Sequence, residues 1–69
     1  MEHLTFGFIG LGLIGGSLAK GLKRADKNHH IMAFARHRST LESALKDGVI
    51  DEALEGIDEN LRRCDYIFL

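Results

Sequence analysis

The run Gly10-Leu11-Gly12-Leu13-Ile14-Gly15 constrains this chain more than any other feature. Leu11, Ile14, Leu18 and Leu22 recur at helical intervals, yet each interior glycine costs a helix about 1 kcal/mol relative to alanine. Ahead of the glycines, residues 4–10 form a short, nearly continuous apolar run, the pattern of a parallel-sheet strand covered on both faces. A helix start is weakened in this way where the turn out of the strand has to do something that a Cβ would prevent. Gly10 permits the tight turn, Gly12 leaves the main chain open to close approach, and Gly15 lets the helix lie close to the sheet.

The rest of the chain repeats the alternation. The first helix is predicted from Leu13 or Ile14 to about Arg24, with Lys20, Lys23 and Arg24 toward its carbonyl end, where positive charge is favoured. Residues 30–35 read as a second strand. Ser39 with Glu42 predicts a capping box for a helix through Leu41, Ala44 and Leu45, stopped by Gly48. Val49 and Ile50 read as a strand fragment, a helical turn is expected near Leu61, and residues 65–69 read as another buried strand. Strands alternating with helices over short connections predict an α/β fold, a Rossmann-type parallel sheet with flanking helices.

At 69 residues the chain is at most one domain, near the lower limit for burying a stabilising core. No apolar run reaches membrane-spanning length, and residues 1–10 lack a signal-peptide pattern. The net charge of -1 argues against nucleic-acid or membrane-surface partners. Its distribution is uneven: residues 1–40 carry six Lys or Arg against two acids, and residues 41–69 three against eight. Cys64 stands alone, so no internal disulfide forms. A reducing, cytoplasmic location and a packing role for the thiol are expected.

In G-x-G-x-x-G at a strand–helix junction, the amides of the first helical turn, around Leu13 and Ile14, face an anion with the positive end of the helix dipole behind them. Gly10, Gly12 and Gly15 thus predict a dinucleotide diphosphate site. No Gly-Lys-Ser/Thr follows, so the loop is not a P-loop. About 20 residues past the last glycine, NAD-binding versions place an acid against the ribose hydroxyls. Ala35 stands there, followed by Arg36, His37, Arg38 and Ser39. Loss of the acid together with gain of guanidinium groups favours NADP over NAD, because Arg pairs with a 2′-phosphate and stacks on adenine. An Arg at this place also serves NAD enzymes as an adenine platform, so the missing acid is the stronger half of that argument.

The segment FGFIGLGLIGGSLAKGLK resembles the amino-terminal part of prephenate dehydrogenases and the related arogenate, or cyclohexadienyl, dehydrogenases of tyrosine biosynthesis. LKDGVIDEA and CDYIFL are similar to later segments of the same family. The resemblance covers essentially the whole chain, and Ala35 departs from the family's common acidic residue. It implies oxidative decarboxylation of prephenate or arogenate with hydride transfer to NAD(P). It also implies cofactor contacts from Gly10, Gly12, Leu13, Ile14, Gly15, Ser17, Arg36 and Arg38, and a homodimer for the intact protein. The family's assisting histidine matches no position here, so no catalytic residue is expected among residues 1–69. These residues are expected to be the amino-terminal fragment of a dinucleotide-binding domain, inactive alone, with the helical dimerisation and substrate domain absent.

Two other readings stay open. One is an NADP-dependent reductase of the 3-hydroxyacid or imine type, and the other is a non-catalytic NADP-sensing module. The four histidines read as solvated or cofactor-edge groups. No metal site is expected, since His29, His30 and Cys64 lack a fourth ligand and suitable spacing. The pairs Asp51–Glu52 and Asp58–Glu59 read as solvated loop charges.

Overall fold

The computed structural model describes residues 3–57 and 59–69. In chain order it contains β1 (Thr5–Ile9), α1 (Leu13–Ala25), β2 (His30–Phe34), α2 (Arg38–Lys46), β3 (Glu52–Ala53), a 3-10 helix (Glu59–Arg63) and β4 (Tyr66–Phe68). The four strands form one parallel sheet in the order β3-β2-β1-β4. The chain steps one way from β1 to β3 and then returns across the sheet to β4. The expected Rossmann-type architecture is the one found.

The strand register assigns the two faces. Phe6 pairs with Ile31 and Tyr66, and Phe8 with Ala33 and Phe68, so these side chains share one face. There they meet Leu11, Ala19, Leu41, Ala44, Val49 and Ile50 in a single apolar cluster. Phe8 and Phe68 stack with centroids 5.0 Å apart, and Phe6 and Tyr66 at 5.8 Å. Gly7 and its partner Met32 point to the other face, where the 3-10 helix packs. A Cβ on Gly7 would lie 2.6 Å from Cys64 Sγ and 3.3 Å from Leu61 Cδ2. Glycine in mid-strand is therefore required by a close neighbour. Burial pushes the Cys64 thiol up from its ordinary value, in keeping with a packing role.

Two aspartates close the amino-terminal edge of the sheet by the same device. Asp51, one residue ahead of β3, donates its N–H to the Ile31 carbonyl at 2.7 Å, and its carboxylate accepts the Ile31 N–H at 2.8 Å. Asp65, one residue ahead of β4, makes the same pair with Thr5, at 2.7 Å in both directions. Each carboxylate thus satisfies a main-chain donor at the start of an inner strand that the shorter neighbour does not reach. Lys23 joins the end of α1 to this edge, with Nζ 2.5 Å from Asp51 and 2.6 Å from the His29 carbonyl. Burial raises the Asp51 carboxyl, but the Lys23 and Ile31 hydrogen bonds outweigh it and hold the group below its usual range.

Several expectations are corrected. The second helix begins at Arg38 after an N-cap at His37, with no side-chain cap. Ser39 is already inside the helix, so the Ser39–Glu42 capping box does not form, and Glu42 instead lies 3.7 Å from Arg38. Val49 and Ile50 are not strand. Gly48, at φ +73°, ends the helix, the next two amides bond back to the Ala44 carbonyl, and both side chains plug the core. The strand lies three residues on, at Glu52 and Ala53. The strand expected to be buried near the end of the chain pairs with β1 alone among the described residues. Tyr66 is accordingly 56% exposed and Ile67 46%.

Asp51 and Glu52 are not free loop charges. Glu52 meets His30 at 3.1 Å and Arg63 at 2.6 Å. His29 is buried at 7% exposure; its Nδ1 accepts the Leu4 N–H at 3.1 Å and its ring stands edge-on to Phe6. Asp58 lies outside the described residues.

Candidate functional site

The topology dictates where a site belongs. Where strand order reverses, the connections leaving neighbouring strands diverge and open a crevice at the carboxyl edge of the sheet. Here that point lies between β1 and β4. A cavity of about 610 Å³ opens there, lined by Gly10, Gly12 and Gly15 with Phe8, Leu18, Phe68 and Leu69.

The glycines have separable roles. Gly10 sits at φ +90°, a region that an L-residue enters at a cost of about 1–2 kcal/mol. Its N–H donates to the Phe34 carbonyl at 2.7 Å, fixing the turn to the end of β2. Gly15 packs against the turn: an added Cβ would stand 3.3 Å from the Gly10 carbonyl oxygen, with Phe8 and Leu11 just beyond. Gly12 differs from both. Its φ of -87° is open to any residue, and an added Cβ would meet nothing within 4 Å. The protein's own packing places no demand for glycine there, whereas a ligand approaching the main chain would.

Gly12 is also the N-cap of α1. No side chain caps the helix and no acid occupies its first turn. The first intrahelical bond is Gly16 N–H to the Gly12 carbonyl at 2.8 Å, so the amides of Leu13, Ile14 and Gly15 precede the ladder and have no intrahelical acceptor. They begin at the cavity mouth, with the positive end of the helix dipole. That arrangement suits an anion with two or more oxygens.

The sequence-predicted residues fall into two groups. Gly10, Gly12 and Gly15 come together at the crevice, with the main chain of Leu13 and Ile14 beside them. Ser17 faces elsewhere, into a second cavity of about 240 Å³ between α1 and α2, to which Gly12 also contributes. Arg36 stands exposed in the β2–α2 loop, and Arg38 is the exposed first residue of α2 beside Glu42. Neither arginine lines either of these two cavities. The structure adds an apolar wall, Leu18, Phe68 and Leu69, and the groove residues Lys20, Thr40 and Ser43. Helical spacing carries a signal for the latter: Gly16, Ser17 and Lys20 share one face of α1, and Thr40, Ser43 and Asp47 one face of α2. Among the described residues no His, Cys, Asp or Glu cluster is suited to a metal ion, and no helix is long and apolar enough to cross a membrane.

Comparison with known proteins agrees with this geometry. The model of the family described as NADP oxidoreductase, coenzyme F420-dependent, matches residues 5–69. Among solved structures, Synechocystis arogenate dehydrogenase superposes with a TM-score of 0.83 at 38% identity, over 96% of this chain and 23% of that one. A prephenate dehydrogenase from A. aeolicus, solved in complex with hydroxyphenyl propionate and NAD+, gives a TM-score of 0.82 at 25% identity, over 97% of this chain and 24% of that one. The chain thus spans about a quarter of the length of these enzymes and corresponds to their nucleotide-binding part.

Proposed function

The chain belongs to the NADP oxidoreductase, coenzyme F420-dependent, family, and from that membership we propose that it is the cofactor-binding part of a prephenate or arogenate dehydrogenase. The observation that carries the reading is the Gly10–Gly15 turn at the switch-point cavity: left-handed at Gly10, closely packed at Gly15 and open at Gly12. The likeness to arogenate dehydrogenase at 38% identity supports the substrate class.

In this reading the main-chain amides from Gly12 to Gly15 hold the diphosphate, with the dipole of α1 behind them. The bound nicotinamide dinucleotide supplies the hydride acceptor for an oxidative decarboxylation. Leu18, Phe68 and Leu69 present an apolar wall beside the diphosphate seat. Gly10, bonded to the Phe34 carbonyl, holds the diphosphate turn in fixed relation to the junction of β2 and α2, from which Arg36 and Arg38 reach the adenosine end. No acid stands at Ala35 to repel a 2′-phosphate, so NADP is favoured over NAD. Catalytic groups and dimer contacts come from outside residues 1–69, and this chain alone is inactive.

A titration with NADP and NAD, followed by a crystal soaked with the tighter ligand, tests the proposal. The expected result is a diphosphate on the Gly12–Gly15 amides; a ligand elsewhere with that loop empty overturns it. Equal affinity for the two nucleotides removes the NADP preference, and oxidation of prephenate or arogenate by the 69-residue chain alone refutes its being only a cofactor-binding part. The family description favours a second, broader reading, an NADP-dependent reductase acting on another substrate. Turnover of a 3-hydroxyacid or an imine, in place of prephenate and arogenate, by the protein carrying this unit selects it.

A further inference from the structure

Gly21 sits in the interior of α1, where glycine lowers helix stability relative to alanine. The position is exposed, and an added Cβ would meet nothing within 4 Å. Packing among the described residues therefore places no demand for glycine there. The diphosphate seat does not account for it either, because Gly12 lies about 13 Å away along the helix axis. At helical spacing Leu18, Gly21 and Ala25 share one flank of α1. Leu18 gives the direction of that flank, since it lines the crevice together with Phe68 of β4. Tyr66 and Phe68 stand across from it, on the sheet face that α1 covers. The strip between them carries no charge and lies open: Leu18 is 40% exposed, Tyr66 more than half, and Ala25 is exposed as well.

Two small residues four positions apart let a second helix approach α1 closely, since the distance between packed helices follows the side chains at the contact. Lys20 and Arg24 are exposed on the side of this strip away from β4, and neither forms an ion pair among the described residues. An occupant thus meets an apolar surface bordered by positive charge. We propose that the Leu18, Gly21 and Ala25 flank of α1, with Tyr66, is the docking surface for an amphipathic helix with an apolar face and an acidic border, supplied by the part of the protein outside residues 1–69. The inference rests on the reading of this chain as the cofactor-binding part of a longer enzyme, and it goes beyond that reading by assigning the face on which the remainder sits. The enzymes that the chain superposes on are about four times its length, which is ample for such a helix. A second copy of α1 suits the surface less well, because a twofold contact at Gly21 would bring the Lys20 and Arg24 of both copies together. Gly21, Ala25 and Tyr66 lie toward the amino edge of the sheet, so a helix seated on them leaves the Gly12–Gly15 amides open to a dinucleotide.

The test compares the 69-residue chain with the protein that carries it, both free of nucleotide. In the 69-residue chain Gly21→Ala is expected to raise the melting temperature by about 4–8 °C, since helix propensity improves and no contact is lost. Hydroxyl-radical labelling of Leu18 and Tyr66, strong in the 69-residue chain, is expected to fall in the longer protein to the level of the buried Phe8. Gly21→Leu is expected to leave the 69-residue chain folded, because the space over Gly21 is open, and to restore that labelling in the longer protein. Arg24→Glu is expected to restore part of it by setting like charges together. If Leu18 and Tyr66 label equally in the two proteins, or if Gly21→Leu leaves their protection intact, no helix docks there and the proposal falls. Nucleotide titration of the same preparations then decides the cofactor reading separately. If the 69-residue chain sediments as a dimer that Gly21→Leu splits, the occupant is a second copy and the assignment is overturned.

Discussion

Gly12→Ala separates a ligand's demand for glycine from the fold's own. Two opposing terms set its effect on stability. Replacing glycine at a compatible backbone angle stabilises by about 0.4–1 kcal/mol through the unfolded chain, and φ of -87° with 4 Å of clear space is compatible. Alanine is a poorer N-cap than glycine by about 0.5–1 kcal/mol. The terms nearly cancel, so the melting temperature is expected to move by less than about 4 °C in a domain of this size. Binding has no such compensation. A methyl group over the first-turn amides displaces the diphosphate from one or two charge-assisted hydrogen bonds worth about 1.5–3 kcal/mol each, a loss of about tenfold to ten-thousandfold in affinity. Thermal unfolding and calorimetric titration of the same preparation read both quantities. Unchanged affinity would refute the close approach of a ligand at Gly12, and a melting temperature lower by 10 °C or more would show a structural need for glycine that the packing does not reveal.

Gly7→Ala is expected to destabilise by about 1–3 kcal/mol, since its Cβ lands 2.6 Å from Cys64 Sγ; the double variant with Cys64→Ala, measured by denaturant unfolding, should lose less than the sum of the singles. Asp65→Ala leaves the Thr5 N–H without its carboxylate and should cost about 0.5–1.5 kcal/mol, with hydrogen exchange rising first at Thr5. Lys23→Met should cost no more than about 1 kcal/mol, because its partner Asp51 is about a third exposed and water already screens the pair. Acid should also destabilise the fold. Asp51 is held low despite the burial that raises it, and Glu52 is held low by its Arg63 and His30 hydrogen bonds. A depressed carboxyl contributes stability that is present above its unfolded value, about 3.9 for Asp and 4.3 for Glu, and is lost as pH falls through the folded value. Urea midpoints measured below about pH 4 should therefore decline less steeply in Asp51→Asn than in the unmodified chain.

What the sequence reveals and what it conceals divide along the range of the interaction. The Gly10–Gly15 turn and α1 are legible because their causes are local: a left-handed residue, a close carbonyl and an apolar stripe all lie within a dozen positions. β3 is not, since two residues, Glu52 and Ala53, become strand through pairing with Met32 and Ala33 and not through any apolarity of their own. Asp51 and Asp65 look like surface charges until the register sets them against the unpaired amides of Ile31 and Thr5, 20 and 60 positions away. His29 likewise looks solvated until its ring meets Leu4, 25 positions back. β4 carries the same apolar signature as β1, and only the strand order shows that, among the described residues, β1 is paired on both sides and β4 on one.

The candidate site follows the same rule, and Gly12 shows why. Its spacing predicts that something approaches the main chain, because a missing side chain is a local fact. What approaches is a matter of the walls, and both are assembled from separate elements. Leu18 and Phe68 meet at the crevice only because β4 returns beside β1. Lys20 and Thr40 face one groove only because α1 and α2 lie side by side. In the proposed reading the glycines mark where a ligand's diphosphate sits, while the walls around it are set by packing between elements distant in the sequence.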